Sequence, residues 1–154
     1  MHSVIYQIGT EPISKAEYIS PDHIEAGEMA SIDYAYDIEP KERQIRIELL
    51  LQILPKGMFT LNQDGNFDRW RKSYVLLIQN KAKAITEADV MEWIGPTYQL
   101  QKDIVNPLET NALFVTDYDT SYALAERSKE PMTMIERLEK GAQLYIGTIA
   151  GYHF

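Results

Sequence analysis

Apolar positions are densest between Glu39 and Phe59, where EPKERQIRIELLLQILPKGMF carries them at 45, 47, 49, 50, 51, 53 and 54. Strict alternation would make this a strand with Ile45, Ile47, Leu49, Leu51 and Ile53 on one side. A period of 3.6 makes it a helix in which Ile45, Leu49 and Ile53 form a narrow stripe, widened by Ile47, Leu50, Leu51 and Leu54. The helix is preferred. Glu, Lys, Arg, Gln and Leu are strong helix formers, Pro40 suits a first helical position, and Glu42 and Arg46 form an i,i+4 pair. Pro55 and Gly57 then stop the element. A helix this apolar is expected to lie against a sheet with another helix beside it, with Leu49 and Ile53 buried.

The other segments follow by the same reading. Val4, Tyr6 and Ile8 alternate in a first strand over 3–8, ended by Gly9. Pro12, Pro21 and Gly27 break any long period up to Tyr36, which predicts a loop with a helical turn after Ser14 or Ser20 and an extended piece near 32–36. A brief strand at 58–61 and a turn at 62–65 lead into the clearest amphipathic helix, 67–85, whose apolar spacing is set by Phe67, Trp70, Tyr74, Leu77, Ile78 and Ile85. Thr86 and Asp89 resemble a capping box opening a short helix through Val90, Trp93 and Ile94, ended by Gly95-Pro96. Another short helix spans 98–105, and 112–116 (ALFVT) is an interior strand. Residues 121–128 are expected helical, and Thr133-x-x-Glu136 to cap a helix reaching Gly141. The ending LYIGTIAGYHF alternates as a long final strand. Gly147 and Gly151 share one face of it, which predicts a close approach by a packed helix or a ligand.

This order of elements predicts one α+β domain over 1–154. Its small, mostly antiparallel sheet is built from N-terminal, central and C-terminal strands and is covered on one face by helices, with an acidic, loop-rich segment at about 9–38. The net charge of −8 alters the picture because it is uneven. Residues 1–40 hold eight acids and one base, whereas 69–85 hold five bases and no acid. The acidic segment is therefore expected to lie near Arg69, Lys72 and Lys83. An acidic chain with one basic helix is a poor nucleic-acid binder. Zero cysteines removes thiol nucleophiles, disulfides and zinc-thiolate sites. No apolar run approaches the roughly 20 residues of a membrane span, so a cytoplasmic protein without membrane contact is expected.

Candidate chemistry is sparse. His2, His23 and His153 are never spaced as a helical metal pair, and no phosphate-binding glycine motif or nucleophile elbow occurs. The segment NQDGNFD fails as a calcium loop, because Thr60 and Arg71 would occupy positions that need Asp and Glu. Asp117 and Asp119 follow an apolar strand and are the best metal candidates; they would need His153 nearby for a hydrolytic site. Tyr34 and Tyr36, with Arg69, Lys72 and Lys83, are the interaction candidates, since tyrosine gives contact area at little entropic cost. The opening HSVIYQIGTEPI and the ending LYIGTIAGYHF resemble the ends of small uncharacterised proteins of gut Bacteroidetes, a resemblance that contains no catalytic motif and implies no function. The leading expectation is a non-catalytic interaction or regulatory module without cofactor, its partner another protein. A DNA-mimicking inhibitor and a metal-dependent hydrolase using Asp117 and Asp119 are the alternatives.

Overall fold

The computed structural model describes residues 1–27, 29–54, 66–117, 123–139 and 142–154. In chain order the elements are β1 (His2–Gly9), single 3-10 turns at Lys15–Glu17 and Pro21–His23, β2 (Glu25–Ala26), β3 (Tyr34–Asp37), α1 (Pro40–Ile53), α2 (Asn66–Lys83), α3 (Pro96–Val105), β4 (Leu113–Thr116), β5 (Leu124–Ala125), α4 (Lys129–Glu136) and β6 (Tyr145–His153). The sheet order is β3-β6-β1-β4; β6 is antiparallel to β1 and β3, and β4 runs parallel to β1. The expected α+β class is the observed one. The strand expected at 58–61 and the turn at 62–65 lie outside the described residues; among the described residues β3 is the fourth strand of the sheet.

Both faces of β1 are buried, so its apolar run is nearly continuous: Val4, Tyr6 and Ile8 enter one core and Ile5 the other. On the first face Tyr6, Phe114 and Ile149 meet Leu50 and Leu54 of the α1 end, Phe67 of α2, and Met134 and Ile135 of α4. On the second, Leu113, Ala150 and Tyr152 are covered by Ile19, Ala123 and Ala125, with Ile24 and Ile32 beside them. Helices thus pack on one side and the acidic N-terminal segment on the other.

Gln7 pins that segment to the sheet. At the β1 irregularity between Tyr6 and Ile8, its amide donates to the Glu17 carbonyl (3.0 Å), while its Oε1 accepts from the backbone N–H groups of Ile19 (3.2 Å) and Thr148 (2.9 Å). A Cβ on Gly147 would collide with that Oε1. Gln7→Ala is expected to cost about 1–2 kcal/mol in a urea titration, from lost partners of partly buried groups. Gly147→Ala displaces the same side chain, so the double variant should cost less than the sum of the two; full additivity would show that Gln7 does not act through this contact.

Several local expectations are corrected. In α1 the buried stripe is not Ile45, Leu49 and Ile53: Ile45 and Leu49 are 57% and 39% exposed, whereas Leu50 is fully buried. Ile47, Leu50 and Leu54 face the core, about 130° around the axis from the stripe that the spacing favours. Residues 86–94 form successive turns rather than a helix. They bury too little to stabilise so short a helix, and only the Thr86 N–H to Asp89 Oδ1 half of the capping box forms, at 2.7 Å. In the stretch expected to be helical at 121–128, residues 124–125 are β5, paired in parallel with β2, and 121–122 lie outside the described residues. Thr133 does not begin a helix. α4 starts four residues earlier, with Pro131 tolerated in its first turn and Pro131, Met132, Met134 and Ile135 buried.

Candidate interaction surface

α2 and α3 pack as a helix pair rooted in the core at one end. Phe67, Trp70 and Tyr74, at i, i+3 and i+7, form a ring ladder with centroids 5.6 and 5.1 Å apart along the inner side of α2. The Tyr74 hydroxyl donates to the Asp103 carbonyl (3.0 Å), and Lys81 pairs with the Asp103 carboxylate at 2.5 Å. Burial pushes the Tyr74 hydroxyl pKa up, and the Asp103 charge adds to this. Leu108, just beyond α3, lies beside Trp70 and Tyr74, so the helices run antiparallel and residues 86–94 form the outer end of the pair.

That outer end is apolar and unburied. Met91 is 91% exposed, Trp93 89%, Ile94 68% and Val90 41%. The backbone closes on itself: the Val90 N–H donates to the Thr86 carbonyl (3.0 Å), and the Gly95 N–H to the Glu92 carbonyl (3.3 Å). A Cβ at Gly95 would lie 2.6 Å from the Glu92 Cβ, so glycine permits this closure. Glu87, Asp89 and Glu92 flank the apolar side chains, and the sequence has no Lys or Arg from 84 to 101. At the root of the pair a groove of about 490 Å³ is lined by Ile53, Leu54, Trp70, Tyr74, Leu77, Pro107 and Leu108 together with the polar Gln52, Ser73 and Glu109.

The candidates from sequence fall elsewhere. Asp117 Oδ2 accepts hydrogen bonds from the Thr10 N–H (3.0 Å) and the Thr10 hydroxyl (2.9 Å), closing the C-terminal ends of β1 and β4. Asp119 lies outside the described residues. His153 pairs with His2 at the opposite end of β1, and its Nδ1 is 2.7 Å from Asp33 Oδ2. At about 3.3 Å per residue, the length of β1 holds Asp117 and His153 on the order of 25 Å apart, so the joint metal site is corrected. Among the described residues no three His, Asp or Glu side chains converge to hold a metal.

Tyr34 stacks on the His153 ring (5.4 Å, 3°), and the Tyr36 ring occupies the space that a Cβ on Gly151 would need. The close approaches at both β6 glycines are therefore made by cross-strand side chains, Gln7 and Tyr36, and not by a helix or ligand. Arg69, Lys72 and Lys83 are exposed on α2. The acidic segment packs on the other side of the sheet, held by Ile19, Ile24 and Ile32, so its expected place near Arg69, Lys72 and Lys83 is also corrected.

Sequence reasoning missed the turn at 86–94 because Val90, Trp93 and Ile94 fit a helical period. The available signal was length: nine residues between Thr86 and Gly95-Pro96 are too few for a helix to stand without burial. No described helix is long and apolar enough to cross a membrane. No family model, curated protein or solved structure matches the chain.

Proposed function

We propose that this is a non-catalytic protein-interaction module whose contact element is the turn Val90–Ile94, with another protein as its partner. One observation carries the reading: a backbone-closed turn that leaves Met91 and Trp93 about nine-tenths exposed. Tryptophan is enriched at interfaces, and clustered exposed apolar side chains rimmed by polar ones mark contact sites. Tyr34 and Tyr36 are secondary, because their rings are already engaged by His153 and Gly151.

A photo-crosslinking amino acid placed at position 93 in living cells tests this. A discrete adduct is expected there and not at exposed Glu11, and it should disappear when Val90 and Ile94 are both changed to Asp in a chain that melts normally. Equal, diffuse labelling at 93 and 11 would overturn the reading.

A further inference from the structure

We infer that the turn's partner is a second copy of this chain: two helix pairs lie antiparallel, and each Val90–Ile94 turn enters the other molecule's groove between the ends of α1, α2 and α3. The inference rests on the interaction reading above and identifies its partner. The groove is of ligand-pocket size, and Ile53, Leu54, Trp70, Leu77 and Leu108 make most of its lining apolar beside Gln52, Ser73 and Glu109, an environment that suits an indole and a branched aliphatic side chain. It lies on the same molecule as the exposed turn, at the other end of a helix about 27 Å long.

Charge sets the register. Ser73 and Leu77 line the groove, and helical geometry places Arg69, Lys72 and Leu76 on the adjoining strip of α2. A two-fold axis crossing α2 near Asn80 brings Leu77 of one copy level with Lys83 of the other, and so sets the turn that follows α2 opposite the first half of the partner's α2. Glu87, Asp89 and Glu92 lie in a stretch without Lys or Arg from 84 to 101, with Lys83 just before it, and this register brings them towards Arg69 and Lys72 of the other copy. The same register sets exposed Val75 and Leu76 against Ala84 and Ile85. Glu109 is an acid in the groove lining, and the register directs the turn's acids to the α2 side instead. Two reciprocal insertions about one axis form a closed, isologous dimer, which leaves no turn exposed for further growth.

The absence of cysteine makes the test specific. In a chain carrying Ser73→Cys and Ala88→Cys, the eleven residues of α2 from Ser73 to Lys83 rise about 15 Å and Ala88 lies in the turn at their outer end, too far for a disulfide within one copy. Sedimentation of the unmodified chain should show a dimer, and mild oxidation of the double variant should trap a covalent dimer on a non-reducing gel. Trp93→Ser should give a folded monomer by circular dichroism. Glu87→Lys should weaken association about tenfold, and Lys72→Glu in the same chain should restore it. A dimer that survives Trp93→Ser, or that oxidation does not trap, would overturn the inference. So would a monomer at roughly 100 µM, far above the Kd of a standard-sized interface. If that monomer still forms a discrete cellular adduct at position 93, only the choice of partner fails; if the adduct is absent too, both readings fail.

Discussion

Leu50→Ala is expected to cost the fold about 2–5 kcal/mol, while Leu49→Ala, one residue away, should change stability by no more than about 0.5 kcal/mol. Leu50 is fully buried among Tyr6, Phe114 and their neighbours, so truncation removes its transfer free energy and leaves a cavity that a close-packed core fills only in part. Leu49 is 39% exposed on the outer side of the same helix, and alanine there has the better helix propensity. Urea titrations of the two variants check the assignment. Equal losses would mean that α1 is rotated from the orientation described.

That pair of residues shows how far the sequence could be read. The existence and ends of α1 were legible, because Pro40 opens it and Pro55 biases Leu54 towards the extended backbone it adopts (φ −71°, ψ 141°). Its rotation was not. Apolar residues lie on both sides of α1, so periodicity alone cannot say which side meets the sheet. The choice is made by partners distant in sequence, such as the Tyr6 hydroxyl donating to the Arg46 carbonyl at 2.8 Å. β1 and β6 were legible for the opposite reason: alternation ties each residue to a face, and a slip by one would turn the whole buried set outward. β5 was hidden because a two-residue strand has no period to read.

The site was hidden by a similar ambiguity. Val90, Trp93 and Ile94 suit a helix with an apolar side, and sequence cannot say whether another surface covers that side. Asp117 was found in its expected place after β4, but its function as the acceptor for Thr10 depends on β1 lying parallel beside it. A parallel neighbour from the far end of the chain leaves no local mark at Asp117. Tyr34 and Tyr36, named as interaction candidates, are partly exposed, and the partners of their rings, His153 and Gly151, lie more than a hundred residues away.

Alkaline pH is expected to remove roughly 2–3 kcal/mol of stability through Tyr6 alone. Its ring is fully buried and stacked on Phe114 at 5.9 Å. Burial pushes the hydroxyl from the ordinary value of 10.0 up to about 12, although the nearby Arg46 charge pulls it down. Up to about pH 10 the folded and unfolded chains both hold the proton, and the contribution is fully present. Between about pH 10 and 12 the unfolded chain releases it while the native state still holds it, so stability falls across that window by about 1.4 kcal/mol for each pH unit. Tyr74 and Tyr152 are also raised by burial and add to the same slope, so the diagnostic quantity is the difference between the parent and Tyr6→Phe. Near neutral pH, Tyr6→Phe should be less stable by about 1 kcal/mol, since the Arg46 carbonyl loses the phenolic donor. In urea titrations from about pH 9 to about pH 11.5, its stability should fall less steeply than the parent's, and the two curves should converge and then cross. Parallel curves would show that Tyr6 ionises equally readily in both states, which a hydroxyl sealed between α1 and the sheet does not allow.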